Sequence, residues 1–415
     1  MRLCEAFAFF AVKSFYLNQR EIFLQHIAQT SPSPLAFEIA KAEGCLLYDV
    51  HGKEYIDLIG GISVANIGHR HPKVIEAIKK QLDAYLHVMV YGEFVESPQV
   101  QYAKLLTDHL PSSLNSVYFT NSGAEAVEGA MKLAKRVSNR TQIIAFNKSY
   151  HGSTQGALSI IGDEYFRNAY RPLLPDVLHL EYNSFESLKK ITELNACVIA
   201  ETVQAEAGII VPSNEWMTAL RKKCTDTGTL LILDEIQAGF GRTGKLWGFE
   251  NFDIVPDVLL LGKALGGGMP LGAFIADKKL MNCFTENPVL GHITTFGGHP
   301  VCCAAGMAAM KALLDEGMMN DVKRKEELFK SLLVHPPGGG HSAKIKAVRS
   351  YGLWMAVEFD SFETNKKVID ACIAAGVMTD WFLFASNCLR ISPPLVIDKE
   401  EVGKGCKIVM KACEK

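Results

Sequence analysis

Three stretches of the sequence end an apolar run on residues that can do chemistry. In Leu230-Leu231-Ile232-Leu233-Asp234-Glu235-Ile236-Gln237, apolar residues deliver an acid pair to the end of a strand-like run. Ligands bind at the carboxyl ends of strands in open α/β sheets. An acid there can hold a metal, pair with a protonated ring nitrogen, or serve the scaffold alone. In Leu259-Leu260-Leu261-Gly262-Lys263-Ala264-Leu265-Gly266-Gly267-Gly268, one lysine follows an apolar run and precedes a glycine loop. A lysine desolvated at a strand end holds its proton less tightly, which suits Schiff-base chemistry. In Thr120-Asn121-Ser122-Gly123-Ala124-Glu125-Ala126, directly after Val117-Tyr118-Phe119, small residues open a helix. Free backbone N–H groups and the helix dipole make such an end an anion cradle. A plain cap by Ser122 or Asn121 accounts for the same residues equally well.

Other chemistries lack their residues. A phosphate loop needs Gly five residues before the Gly-Lys pair and Ser or Thr after it, but Asp257 and Ala264 stand there. No dinucleotide G-x-G-x-x-G follows the first buried strand, and H-E-x-x-H, G-x-S-x-G and the EF-hand loop are missing. Lys and Arg number 43 against 45 Asp and Glu, a net charge of −2, which argues against a nucleic-acid partner. Eleven cysteines include no C-x-x-C pair, and Cys302 and Cys303 are adjacent. They read as reduced thiols in a reducing cytoplasm, with no metal site. No apolar run reaches the ~20 residues of a membrane span. Met1 to Val12 faintly resemble a signal peptide, but Glu5 interrupts them; an amphipathic helix or an extension from a wrongly assigned start fits better.

Buried elements must hold those strand-end residues in place. Residues 14–30 show helical spacing, and Ser31-Pro32-Ser33-Pro34 ends the helix. A meander follows, with a hairpin turn at Asp49-Val50-His51-Gly52. From residue 72, helices (72–87, 98–110) alternate with β-rich runs at 117–120, 142–146, 177–180, 196–200, 229–235, 258–262 and 272–276. Several are unbroken Val/Ile/Leu runs, as expected for parallel strands buried on both faces. The alternation predicts a doubly wound α/β domain. A long helix near 300–316, a Pro/Gly loop at 335–340, a helix near 364–375 and a strand at Leu389-Arg390-Ile391 then read as a smaller α+β unit.

The combination resembles the class III, pyridoxal-phosphate-dependent aminotransferases, with the acetylornithine and ornithine enzymes nearest. The resemblance runs from about Pro34 to the C-terminus. It rests above all on LILDEIQAGFGRTG with LLLGKALGGGMPLGA, where Lys263 follows Asp234 by 29 residues. It implies an aspartate-aminotransferase-like, fold-type I transferase. Residues 66–310 would form the large cofactor domain, 1–65 an N-terminal segment joining the small domain, and 311–415 the rest of that domain. Lys263 would be the Schiff-base lysine, and Asp234 would keep the pyridine nitrogen protonated. Gln237 would bond the phenolic oxygen, Ser122, Gly123 and Ala124 the phosphate, while Tyr150 stacks on the ring with His151 beside it. Glu201 and Glu206 match ETVQAEAG to the family's E-P-V-Q-G-E-G segment. Glu206 would be the switch glutamate over Arg390, the arginine for a substrate carboxylate. Thr295 matches a residue that reaches the neighbouring subunit's cofactor, which implies a homodimer with shared sites. Ile62 matches the acetylornithine type where ornithine enzymes carry tyrosine.

Departures from the pattern bear on the substrate. Ser153 replaces an arginine that grips a substrate carboxylate, and serine offers no charged fork. Arg167 and Arg171 nearby are candidate substitutes or plain surface residues. Thr202 for proline and His299 for asparagine read as scaffold changes. The expectation is a cytoplasmic aminotransferase passing nitrogen from an amine or amino acid to a 2-oxo acid. An aminomutase or racemase on the same fold is the alternative, and a non-catalytic cofactor-binding scaffold is more remote.

Overall fold

The computed structural model describes residues 18–334 and 344–414. The readings of residues 1–17 and of the loop at 335–340 lie outside the described residues. The first helix, Gln19–His26, is shorter than its apolar spacing predicts. Asn18 and Glu21 form a capping box at its start, and the Gln29 amide donates to the carbonyls of Phe23 and Ile27 at its end.

The meander follows as β1 (Ile39–Glu43), β2 (Leu46–Asp49) and β3 (Glu54–Asp57), all antiparallel. The Asp49 carboxylate accepts the N–H groups of His51 and Lys53, which sets the expected hairpin turn. Seven strands then form the large sheet: β4 (Ser116–Thr120), β5 (Gln142–Phe146), β6 (Val177–Leu180), β7 (Asn195–Glu201), β8 (Leu230–Asp234), β9 (Val258–Leu261) and β10 (Gly272–Ala276). Their order is β4-β10-β9-β8-β7-β5-β6. All run the same way except β10, which is antiparallel to both neighbours. The reason lies in the connection. Only residues 262–271 join β9 to β10, whereas a parallel crossover takes about a dozen residues or more.

Unbroken apolar strands are what a sheet covered on both faces requires. Within β9, Leu259 and Leu261 belong to one hydrophobic cluster, Val258 and Leu260 to another across the sheet. Helix Gly123–Ser138 packs on the second face through Ala126, Val127, Ala130, Met131, Leu133 and Ala134.

After helix Pro300–Asp315, a four-stranded antiparallel sheet forms from β11 (Ala347–Ser350), β12 (Met355–Glu358), β14 (Trp381–Phe382) and β15 (Ala385–Ile391). The two-residue β13 (Val377–Met378) leaves it and pairs in parallel with β3, so residues from both ends of the chain share one sheet.

The GFGRTG segment joins these parts through Arg242, which is fully buried. Its guanidinium donates to the carbonyls of Leu353 and Pro393 and to the Asn66 amide oxygen. Burial lowers its proton affinity to about 9. Arg242→Ala would strand those acceptors and open a cavity. The variant should lose roughly 3 kcal/mol or more of stability in denaturant melts.

Candidate active site

The carboxyl ends of five parallel strands meet at one edge of the large sheet. There β4 leads into Ser122, β5 into Tyr150 and His151, β7 ends on Glu201, β8 on Asp234, and β9 leads into Lys263. Strand register sets Glu201 directly beside Asp234. A cavity of about 240 Å³ opens at this edge. Its walls bring together Gly123, Ala124, Tyr150, His151, Ser153, Glu201, Asp234, Gln237 and Lys263 from the sequence reading. Gly152, Val203, Ile236 and Ala238 complete them.

Close packing at the cavity floor depends on glycine. Gly123 starts its helix against Ile236, whose Cδ1 would lie 2.6 Å from an added Cβ. Gly152 has φ +120, and an added Cβ would meet that of Ala124 at 2.6 Å. Ser122 does cap the helix, its hydroxyl accepting from the Glu125 N–H at 3.2 Å. The bland and chemical readings of this turn therefore coexist, because the cap leaves the first N–H groups facing the cavity end of the helix.

Lys263 sits half-buried with φ +48, a left-handed conformation a lysine adopts only under constraint. Among the described residues its ammonium forms no hydrogen bond. Burial lowers its proton affinity; the charges of Glu206 and Asp234 partly oppose this. The Asp234 carboxylate lies 2.7 Å from His151 Nδ1, and both residues are buried. Its other oxygen accepts the Ile236 N–H at 3.0 Å. Glu201 accepts from the backbone N–H groups of Tyr150 and Ala205. Burial, followed by the charge of Asp234, still pushes its carboxyl well above the usual range.

Behind Gln237 stands a buried ion pair. Arg390 reaches both oxygens of Glu206 at 2.9 Å, a bidentate fork. Leu383 N–H adds 2.9 Å to Glu206 Oε2, and Gln237 Nε2 lies 3.3 Å from Oε1. Burial alone would raise the Glu206 carboxyl, but Arg390 outweighs it and holds it at about 2. Sequence reasoning missed Asp380, whose Oδ1 lies 2.9 Å from Arg390 Nε, close enough to pair though off the line of a hydrogen bond. Recognising the β14–β15 hairpin would have found it, since Trp381 pairs with Leu389 and so aligns Asp380 with Arg390.

The acid pair at the end of β8 divides its work. Glu235 points away, accepting from Thr202, Gly248 and Phe249, and burial raises it to about 7. Thr202 is thus a scaffold residue, as is His299, which caps helix Pro300–Asp315. Ile62 lies outside the cavity lining, in a left-handed turn spanning Gly60 to Ser63. Thr295 is exposed and also lies outside it. Arg167 and Arg171 do not supply the charge that Ser153 lacks. Both pair with Glu164, Arg167 also faces His179, and neither lines the cavity.

A pyridoxal-type group suits this donor set. Among the described residues, His151 Nε2 and Gln237 Oε1 are buried without hydrogen-bond partners, beside an unbonded lysine and a helix start. Such a fold and site define an α/β enzyme of the Schiff-base class.

Residues 27–413 match the family described as aminotransferase class-III, and the chain belongs to that family. It is 38% identical over 369 residues to an acetylornithine aminotransferase of Methanopyrus kandleri, covering 88% of this chain and 91% of the relative. A mitochondrial acetylornithine aminotransferase of Alnus glutinosa is 34% identical over 386 residues, covering 90% and 82%. The solved ornithine aminotransferase of Toxoplasma gondii, described with partial occupancy of PLP at its active site, superposes with a TM-score of 0.87. Its identity is 28%, with 94% of this chain and 92% of that one covered.

The Glu206–Arg390 pair carries a pH signature. Glu206 titrates at about 2 folded against an ordinary value of 4.5, so the folded state holds the proton less tightly. Its contribution, on the order of 3 kcal/mol, is therefore complete above pH 4.5 and disappears as pH falls towards 2. Chemical denaturation across that window should show the loss in the wild type and a flatter profile in Glu206→Gln.

Proposed function

We propose that this cavity carries out pyridoxal-phosphate-dependent amino transfer from an amine or amino acid to a 2-oxo acid, with Lys263 and Asp234 as its catalytic residues. Membership of class III makes the chain an aminotransferase. The observation that carries the assignment of residues is Lys263: a desolvated, unbonded amine at the sheet edge, in the field of Asp234. When bound, pyridoxal phosphate supplies an electron sink for the carbanion left by proton removal.

The chain's own groups do the rest. Asp234, oriented by His151 Nδ1, holds the ring nitrogen's proton. The helix start at Ser122, Gly123 and Ala124 would hold the phosphate, and Tyr150 would stack on the ring. Gln237 Nε2 turns from Glu206 to the phenolic oxygen, while Glu201 supports the Tyr150 backbone from behind. Lys263 Nζ takes and returns the proton on the substrate's amino-bearing carbon. Glu206 covers Arg390 when the donor presents an amine, and uncovers it for a substrate carboxylate. Ile62 and Ser153 belong to the substrate side of the site.

Thr295 would serve the site of a second copy, so the working form is a homodimer. Supporting this, Leu24, Ile27, Leu86, Val95, Val289 and Phe296 are exposed apolar residues. Beside Val95, the buried Glu96 carboxylate has no partner among the described residues. A reducing compartment such as the cytoplasm suits the free thiols, all buried except the half-buried Cys283 among the described residues. No helix among the described residues is long and apolar enough to cross a membrane.

Borohydride should fix the cofactor covalently on the wild type and not on Lys263→Ala. A variant that still trapped cofactor and turned over would remove Lys263 from the mechanism. Asp234→Asn should retain much of the cofactor yet lose about 10²–10⁴-fold in kcat, because the carboxylate acts chiefly in the transition state. Near-normal kcat would exclude it.

A further inference from the structure

We propose that Phe384, with Phe166 and Tyr150, forms an apolar shelf for the far end of the amino donor, and that the donor is a primary amine whose far end is uncharged. The inference rests on the transaminase reading of the cavity and names its substrate class.

The shelf lies beside the serine edge of the cavity: Tyr150 lines the cavity, and Phe384 and Phe166 stand just outside that lining. Ser153 Oγ is 3.2 Å from the Tyr150 hydroxyl, so this edge offers one neutral hydrogen-bonding pair. The Phe384 ring stands 6.5 Å from that of Tyr150 and 5.3 Å from Phe166, edge to face with the latter. Tyr165 continues the cluster, packed edge-on to Phe166 at 5.2 Å and largely exposed. Phe166 and Phe384 are both half-buried, leaving ring surface open.

Charge points the same way. Lys263 is the only lysine or arginine among the described residues lining the cavity. Arg167 and Arg171, the cations nearest in sequence to Phe166, are held by Glu164. Arg390 is covered by Glu206 and flanked by Asp380. A carboxylate at the donor's far end would lose water against aromatic rings without gaining a free cation from this chain's lining. Methylene or aryl groups would gain from the same surface.

The shelf also survives the exchange at Arg390. The Phe384 N–H donates to the backbone oxygen of Glu206, whereas the Leu383 N–H donates to its carboxylate. Rotation of the Glu206 side chain breaks the second bond and leaves the first. Phe384 therefore keeps its place in both half-reactions.

The test uses holoenzyme with pyruvate as acceptor and n-alkylamines of increasing length as donors, against ornithine and N-acetylornithine. Wild-type kcat/KM should rise roughly fourfold per added methylene until the shelf is covered, and exceed that for both carboxylate-bearing donors. Phe384→Ala should flatten the rise; Phe384→Leu, which keeps an apolar wall, should retain most of it. Equal slopes in wild type and both variants would overturn the shelf, as would a wild type preferring ornithine or N-acetylornithine by about tenfold. Wild type that neither transferred nitrogen from any donor nor retained borohydride-reducible cofactor would instead remove the transaminase reading beneath it.

Discussion

Lys263 loses water at the end of a strand buried on both faces, and the other charges of the site are arranged around that loss. Desolvation lowers the amine's hold on its proton. Glu206, Asp234 and Glu201 pull the other way, while Arg390 acts with desolvation. Among the described residues no hydrogen bond holds the amine. That balance exists only because β7, β8 and β9 are adjacent and parallel, delivering Glu201, Asp234 and Lys263 to one edge. A strand reversed at any of those positions would send its residue about a strand length, roughly 15 Å, to the opposite edge.

Glu201 and Glu206 show how strongly local pairing decides the state of a buried acid. They lie five residues apart and are nearly equally buried. Glu201 has only backbone donors and the repelling charge of Asp234, so burial prevails and the carboxyl rises. Glu206 meets a bidentate guanidinium, and attraction prevails over burial. The two neighbouring carboxyls are therefore shifted in opposite directions. Glu235, tied to the scaffold, is raised by burial to about 7.

The placement of Asp234 and Lys263 at one sheet edge was legible in the sequence because each follows an apolar run, and such a run is readable without knowing its neighbours. The seven strands of the large sheet were placed for the same reason, with ends shifted by about one residue. The direction of β10 was not read, since a run of five apolar residues looks alike in either direction. Only the short connection after Lys263 determines it. Asp380, Leu383 and Phe384 were missed for a different reason. Leu383 and Phe384 bond Glu206 from more than 170 residues away, and Asp380 meets Arg390 only through the register of the β14–β15 hairpin. Of the two readings of Arg167 and Arg171 the plainer one fits, because Glu164 holds both, which proximity in sequence to Ser153 does not reveal.

The Glu206–Arg390 pair divides into a fixed part and a releasable one. Arg390 is held by its own hairpin. The Trp381 carbonyl accepts from it at 3.0 Å, the Phe382 ring lies 4.5 Å from its guanidinium carbon, and Asp380 stands at its Nε. Among the described residues, Glu206 has no comparable restraint on its carboxylate beyond Arg390, the Leu383 N–H and the weak contact from Gln237. All of those donors suit any carboxylate, not Glu206 in particular. An incoming 2-oxo acid that displaces Glu206 would thus inherit the two guanidinium bonds and the Leu383 N–H together. Asp380 would remain beside the arginine throughout, so uncovering Arg390 never leaves a bare buried charge, the condition that makes breaking an isolated buried pair so costly.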